Sequence, residues 1–371
     1  MDYNVNYKKL LSEFSIGKKF EISDTNIEVQ FFDFISADKS LLKNTGENFL
    51  SDAVEENNRF EYPVFINRKN NKPGKAILLL HGLNERNWNK YLTWAEYLCR
   101  ETAKAVILFP IAYHINRSPA WWSNPRILNS FLEKRKNISG NESSVSFANF
   151  ALSERISENP YRFYESGKQS FLDIETLLKS IDSGQHPLFE RNTITDVFAY
   201  SIGAFLAQLL FMINPSGLLS ESKLFVFCGG SIFNRMFGQS RSILDKSAFE
   251  MLHNYYMDDF YKFSEVSVNS DQYLSAFSSM IKEENNQTDR ISFFKMMKKR
   301  FAGIALKKDI VIPYNGIIEA IGSENSKSVE LYDFNFNYTH ENPFPVYQNN
   351  SKNEVNNAFN EIFGKVAAFL A

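Results

Sequence analysis

Asp196-Val197-Phe198-Ala199-Tyr200-Ser201-Ile202-Gly203-Ala204-Phe205-Leu206 reads as a strand, a sharp turn and a helix. The apolar run from Val197 to Tyr200 suits a buried strand, and Gly203 to Ile213 predicts a buried helix that stops at Asn214-Pro215. Ser201 interrupts the two at the point where the chain must turn. Such a turn holds its serine in a strained backbone conformation and tolerates little beyond a hydrogen or a methyl two residues before and after it. Ala199 and Gly203 meet that demand. The plain alternative is a buried strand-to-helix turn that happens to carry a serine, so a nucleophile at 201 requires partners elsewhere in the chain.

A chain of 371 residues, 44% hydrophobic and 15% aromatic, buries a large core as one big α/β domain or two smaller ones. Lysine and arginine number 41 against 43 acidic residues, so no overall field draws the protein to nucleic acid or an anionic membrane, and neither is expected as a partner. Cys99 and Cys228 lie far apart within apolar runs and read as small core residues in a reducing compartment. Met1 to Tyr7 lacks the charged and apolar regions of a secretory leader, so a cytoplasmic location is expected. The longest apolar run, Phe198 to Ile213, falls short of the ~20 residues that span a bilayer. No zinc spacing, phosphate loop or dinucleotide glycine pattern appears, and no cofactor or metal is expected. The basic residues Lys295, Lys298, Lys299 and Arg300 read as the solvated end of a helix, and Asn137-Ile138-Ser139 carries weight only in a secreted chain.

Around the central stretch, strands and helices alternate. Residues 1–74 hold expected antiparallel strands at Lys19 to Ile22, Ile27 to Ile35 and Phe60 to Ile66, followed by the turn cluster Asn70 to Gly74. Lys75 to Leu80 is a continuous apolar strand of the kind covered on both faces, and His81-Gly82-Leu83-Asn84 closes it. Trp88, Tyr91, Leu92, Ala95 and Leu98 mark a helix before the strand Ala105 to Phe109. From Ile111 to about Ser157 periodicity is lost and a long loop is expected, passing through Tyr113-His114, Trp121-Trp122 and a polar run at Asn137 to Ser144. A helix from Tyr161 to Ile181 leads into the central strand. Beyond it come a short strand at Leu224 to Cys228, a helical insertion at about 233–300, a strand at Ala302 to Leu306, a helix at Asn315 to Ile321, a strand at Val329 to Phe336 and a closing helix at Asn353 to Leu370. The alternation implies an α/β fold with a mainly parallel sheet covered by helices on both faces.

Ala199-Tyr200-Ser201-Ile202-Gly203 resembles the nucleophile elbow of the α/β-hydrolase superfamily, G-x-S-x-G, with alanine in the first glycine position as in some lipases of that superfamily. A neutral serine hydroxyl attacks poorly unless an imidazole takes its proton. The resemblance implies the order serine, acid, histidine, and only His253 and His340 follow Ser201. His253 shares a helical face with Phe249, Leu252, Tyr256 and Phe260 and reads as a packed or cap-lining residue. His340 sits on a proline-bounded loop beyond the last strand, where a base belongs. Asp309, in Asp309-Ile310-Val311-Ile312-Pro313, resembles the acid turn of many α/β hydrolases. Glu319, within a helix, and Asp333, within the last expected strand, are weaker alternatives.

Acyl transfer also needs fixed donors for the oxyanion. Ile202 supplies one backbone N–H. His81-Gly82-Leu83 resembles the His-Gly oxyanion loop of lipases and esterases, which assigns the second to Leu83, with Asn84 as an alternative donor and Gly82 permitting the close approach. In that resemblance His81 is structural. Tyr200, Tyr113, His114, Trp121 and Trp122 join His81, Gly82 and Asn84 as supporting or pocket residues. The insertion's Phe249, Tyr255, Tyr256, Phe260, Tyr261 and Phe263 either roof an acyl pocket or pack the insertion on the core. Together these readings imply a serine hydrolase of carboxylic esters. A peptidase or acyltransferase with the same three residues, and a binding protein that keeps the fold without turnover, remain the alternatives.

Overall fold

The computed structural model describes residues 2–36, 53–70, 72–138, 143–260, 271–346 and 351–371. Among them nine strands form one sheet: β1 (Phe20–Glu21), β2 (Ile27–Ile35), β3 (Arg59–Asn67), β4 (Lys75–Leu80), β5 (Ala105–Leu108), β6 (Ile194–Tyr200), β7 (Leu224–Phe227), β8 (Phe301–Leu306) and β9 (Val329–Tyr332). Their spatial order is β1-β2-β3-β5-β4-β6-β7-β8-β9. The first three run antiparallel to their neighbours, including β3 against β5, and the rest are parallel.

The central strands are near-continuous apolar runs because helices cover both their faces. Side chains alternate between two cores: Leu78, Leu80, Val197 and Ala199 point to one, and Ile77, Leu79, Phe198 and Tyr200 to the other. The helices Asn89–Thr102 and Lys352–Leu370 close the second core, joined by a helix at Tyr3–Glu13 that sequence reasoning missed. Asp2 caps it by accepting the Val5 N–H, and Tyr3 stacks on Phe359 at 4.3 Å. The helices Arg162–Asp182 and Ile202–Ile213 line the other core.

The chain passes from β4 to β5 on one side and returns to β6 on the other. Register pairs Leu79 with Leu108 and Leu80 with Ala199, so the three strands end side by side. This reversal opens a crevice at the carboxyl ends of β4 and β6, the place where open α/β sheets bind ligands. Non-glycine residues with positive φ gather just beyond these strand ends: Asn84 at 60°, Tyr113 at 64°, Ser201 at 57° and Cys228 at 46°.

Two expectations change. The stretch from Ile111 to Ser157 is not an irregular loop, for it carries helices at Pro125–Ile138 and Phe150–Glu158. They close a small satellite core of Leu128, Leu132, Val145 and Phe150 and are tied to the insertion by the ion pair of Arg135 with Asp245. So few apolar positions leave little periodicity to read. The last strand stops at Tyr332, not Phe336, and Asp333 lies beyond it. Phe334, Phe336 and Tyr338 continue the alternation only as a packed aromatic cluster, the first two stacked at 5.0 Å.

Between 233 and 300 the insertion holds helices at Lys246–Asn254, Gln272–Ser279 and Gln287–Met296. Tyr256 and Phe260 pack it on the core against Phe163 and Tyr164, while Tyr261 and Phe263 lie outside the described residues. Ser139 and residues 140–142 of the polar run also lie outside them. Among the described residues no helix is long and apolar enough to cross a membrane.

Candidate active site

Ser201 occupies the turn between β6 and the helix Ile202–Ile213 at φ 57° and ψ −124°, a conformation L-residues seldom adopt. Its surroundings account for the turn. A Cβ on Gly203 would lie 2.6 Å from the His81 carbonyl oxygen and 2.7 Å from that of Leu80, so the helix can lie against the end of β4 only without a side chain there. The Ser201 carbonyl starts the helix by accepting the Ala204 N–H at 3.0 Å.

The side chain of Ser201 meets His340, whose loop follows β9. Ser201 Oγ lies 2.7 Å from His340 Nε2, and His340 Nδ1 donates to Asp309 Oδ2 at 2.7 Å. All three are buried. The other carboxylate oxygen of Asp309 accepts the N–H groups of Val311 and Ile312, each at 2.9 Å, which locks the carboxylate in the turn after β8. Glu319 points elsewhere and pairs with Arg235, and Asp333 pairs with Lys307, Lys308 and Tyr338. His253 is on the helix Lys246–Asn254 beside Phe233 and Phe249, away from this relay.

The His81–Asn84 loop approaches Ser201 from β4. A Cβ on Gly82 would stand 3.3 Å from Ser201 Cβ and 3.1 Å from the Tyr200 ring. Among the described residues the backbone N–H groups of Leu83 and Ile202 donate to no protein acceptor. His81 is fully buried, with Nδ1 donating to the Gly82 carbonyl at 2.8 Å and Nε2 accepting the Ile111 N–H at 2.9 Å. Burial holds its pKa well below the usual histidine value. Asn84 turns its amide away, donating to the carbonyls of Ala148 and Ser242 and so tying the loop to the insertion.

A second set of residues joins the two loops, of which sequence reasoning singles out only Tyr200. The Gly82 N–H donates to Tyr91 Oη at 2.9 Å, and Tyr91 donates to Glu85 at 2.7 Å. Lys90 pairs with Glu85 and donates to the Glu341 carbonyl at 2.9 Å. Tyr200 donates to the His340 carbonyl, and its ring stacks on the imidazole at 5.5 Å and 17°. Burial drives the Tyr200 and Tyr91 hydroxyls well above the usual tyrosine pKa, so both stay protonated and able to donate. Tyr91 falls on the buried stripe of its helix and reads from sequence as core, which conceals its hydroxyl's role.

Ser201 lines an apolar cavity with Leu83, Phe163 and Ile202 and with Met236, Leu244, Phe249 and Leu252 of the segment after β7. Among the described residues that line it, none is charged. Tyr256 and Phe260 do not line it, so of the insertion's aromatics Phe249 faces the cavity while these two build the core. Trp122 lines a separate cavity beside Tyr113 and His114, with Arg155 over the Tyr113 ring at 4.2 Å. Trp121 packs edge-on against Trp122 and, among the described residues, lines none of the cavities at Ser201, Leu83 or Ile202. Its neighbours hold it between the two satellite cores.

A mainly parallel sheet in this strand order, with a strained Ser201 turn after β6 at the switch point, defines the α/β-hydrolase fold. Within that fold, residues 1–371 match the profile of a family described as a family of unknown function (DUF6051), and the chain belongs to it. No curated protein matches the sequence. Similar solved structures include esterase LipW from Mycobacterium marinum, at 14% identity over 92% of this chain and 81% of that one, with a TM-score of 0.46. Carboxyl esterase 2 from the mycorrhizal fungus Tuber melanosporum is 9% identical over 99% of this chain and 98% of that one, with a TM-score of 0.48. Esterase Pf2001 of Pyrococcus furiosus is 12% identical over 96% of each chain, with a TM-score of 0.44.

Proposed function

We propose that this protein is a serine hydrolase that cleaves carboxylic esters through Ser201, His340 and Asp309. The observation that carries the reading is the buried relay, 2.7 Å from Ser201 Oγ to His340 Nε2 and 2.7 Å from Nδ1 to Asp309, beside two backbone N–H groups that donate to no acceptor among the described residues. His340 Nε2 takes the hydroxyl proton as Ser201 Oγ bonds to the ester carbon, and Asp309 holds the imidazole in the tautomer that leaves Nε2 free to accept. The N–H groups of Ile202 and Leu83 receive the developing oxyanion. His340 then gives its proton to the departing alkoxide as the carbon–oxygen bond breaks. Water, deprotonated by the same imidazole, releases the acid and restores Ser201.

The same attack serves a peptidase or an acyltransferase. The uncharged cavity around Ser201 favours an apolar ester over a peptide with charged neighbours. Intact mass after treatment with a fluorophosphonate tests the reading. One adduct is expected on the wild type and none on Ser201→Ala or His340→Ala, and a folded wild type that stays unlabelled refutes it.

A further inference from the structure

A second cavity carries polarity that ester cleavage alone does not use. His114, Ser166 and Tyr273 line it together with Leu83 and Ile202, and it adjoins the Ser201 cavity across Leu83, Phe163 and Ile202. Most of the remaining wall is apolar, including Ile111, Phe205 and Phe277.

His114 lies just beyond β5, with Nδ1 2.8 Å from the Ala112 carbonyl oxygen. A carbonyl only accepts, so a neutral ring carries its proton on Nδ1 and presents Nε2 as a bare acceptor. Burial pushes the pKa of this imidazole down to about 4, which keeps it neutral at physiological pH. Nε2 is buried and has no hydrogen-bond partner among the described residues. An unpaired buried acceptor is destabilising, and packing alone gives no reason to keep it.

Tyr273, from the insertion helix Gln272–Ser279, brings its hydroxyl against the helix Arg162–Asp182 at Gly167. A Cβ at 167 would lie 2.5 Å from that oxygen, so the missing side chain gives the hydroxyl its place. Among the described residues the Tyr273 hydroxyl makes no hydrogen bond, although the residue is buried. Ser166 spends its proton on the Phe163 carbonyl at 3.2 Å and offers lone pairs.

The cavity is therefore lined by one residue with an unpaired neutral acceptor and another with an uncommitted phenol, within an apolar wall. A hydroxyl group complements both, donating to the imidazole and accepting from the phenol. A ketone or carboxylate has no proton for Nε2, and an ammonium would lose its hydration against neutral groups. We infer that the preferred substrates are esters bearing a hydroxyl group on an otherwise apolar arm, bound by His114 and Tyr273. This rests on the ester reading of Ser201.

Matched esters test it on the full chain. The acyl arm compares 4-nitrophenyl butanoate with 4-nitrophenyl 3-hydroxybutanoate, and the alcohol arm compares propyl acetate with 3-hydroxypropyl acetate. In at least one arm the hydroxylated member is expected to have a kcat/KM about threefold to tenfold higher, the value of one buried neutral hydrogen bond. Tyr273→Phe and His114→Phe should bring that ratio towards one, and His114→Gln, which again presents an acceptor, should restore part of it. A wild-type ratio near one in both arms, with Ser201 still labelled by fluorophosphonate, overturns this inference and leaves the ester reading standing. Failure of labelling removes both. A preference that survives all three substitutions places recognition elsewhere and rejects the assignment. Because the ratio is read first on the wild type, a variant that fails to fold does not remove the test.

Discussion

Replacing Asp309 with asparagine isolates the link between backbone geometry and base strength. In the native protein one carboxylate oxygen accepts the Val311 and Ile312 N–H groups and the other accepts His340 Nδ1–H. An asparagine has one acceptor oxygen, and two backbone donors compete for it against one imidazole donor. Turning its NH2 towards Val311 and Ile312 would strand two buried N–H groups at about 1–3 kcal/mol each, or about 2–6 kcal/mol together. The amide therefore keeps its oxygen on the turn and faces His340 with NH2. Nδ1 must then accept, the ring proton moves to Nε2, and Ser201 meets an N–H instead of a lone pair. At about 1.4 kcal/mol for each tenfold, only about one molecule in 30 to one in 10⁴ retains the productive tautomer. Asp309→Asn should accordingly lower kcat/KM for 4-nitrophenyl butanoate, and the rate of fluorophosphonate labelling, by about 30-fold to 10⁴-fold, with thermal unfolding little changed. A loss of less than about tenfold in a folded variant would refute the tautomer argument.

Other consequences follow from buried groups. Gly203→Ala places a methyl 2.6–2.8 Å from the Leu80 and His81 backbone, and the resulting shift should cost about 1–3 kcal/mol in thermal unfolding and slow fluorophosphonate labelling; unchanged labelling would show that the helix can move without disturbing Ser201. Arg117, fully buried, pairs with Asp173 at 2.7 Å, caps the Pro110 carbonyl and stacks over Phe60, so Arg117→Met strands a buried carboxylate and should cost about 3–5 kcal/mol in urea unfolding. His81, His114 and His186 all have pKa values depressed by burial, the last two to about 4. The unfolded chain, at about 6.5, binds the protons first, so these groups stabilise the protein fully above pH 6.5 and progressively less as pH falls towards 4. Each adds a slope of about 1.4 kcal/mol per pH unit within that window, and urea midpoints that do not move between pH 7 and pH 5 would contradict it.

What sequence alone determined here is what short stretches of chain enforce. Ala199 to Gly203 is legible because the turn admits only small residues at its flanks. Lys75 to Leu80 is legible because a doubly covered strand leaves no polar position. Asp309 is legible through its resemblance to the acid turn of α/β hydrolases, an aspartate ahead of a short apolar stretch and a proline. His340 stands out because prolines hold its loop outside any helix, and the serine–acid–histidine order that the α/β-hydrolase resemblance implies singles out three residues that the fold places within hydrogen-bond reach. The helices between Ile111 and Ser157 were hidden because their apolar contacts are few and come from a satellite core. The end of β9 is not legible because Phe334, Phe336 and Tyr338 alternate like a strand while packing into the second core beside Phe344 without joining the sheet.

Tertiary structure decided everything that depends on residues distant in the chain. Lys90 meets the His340 loop, Tyr273 reaches Gly167, and His114 lines a cavity built partly by the insertion, across separations that leave no periodicity to read. Local backbone rules thus specify how a carbonyl would be attacked. Which carbonyl fits is set by long-range packing, where an unpaired nitrogen or an uncommitted hydroxyl becomes visible only once its neighbours are in place.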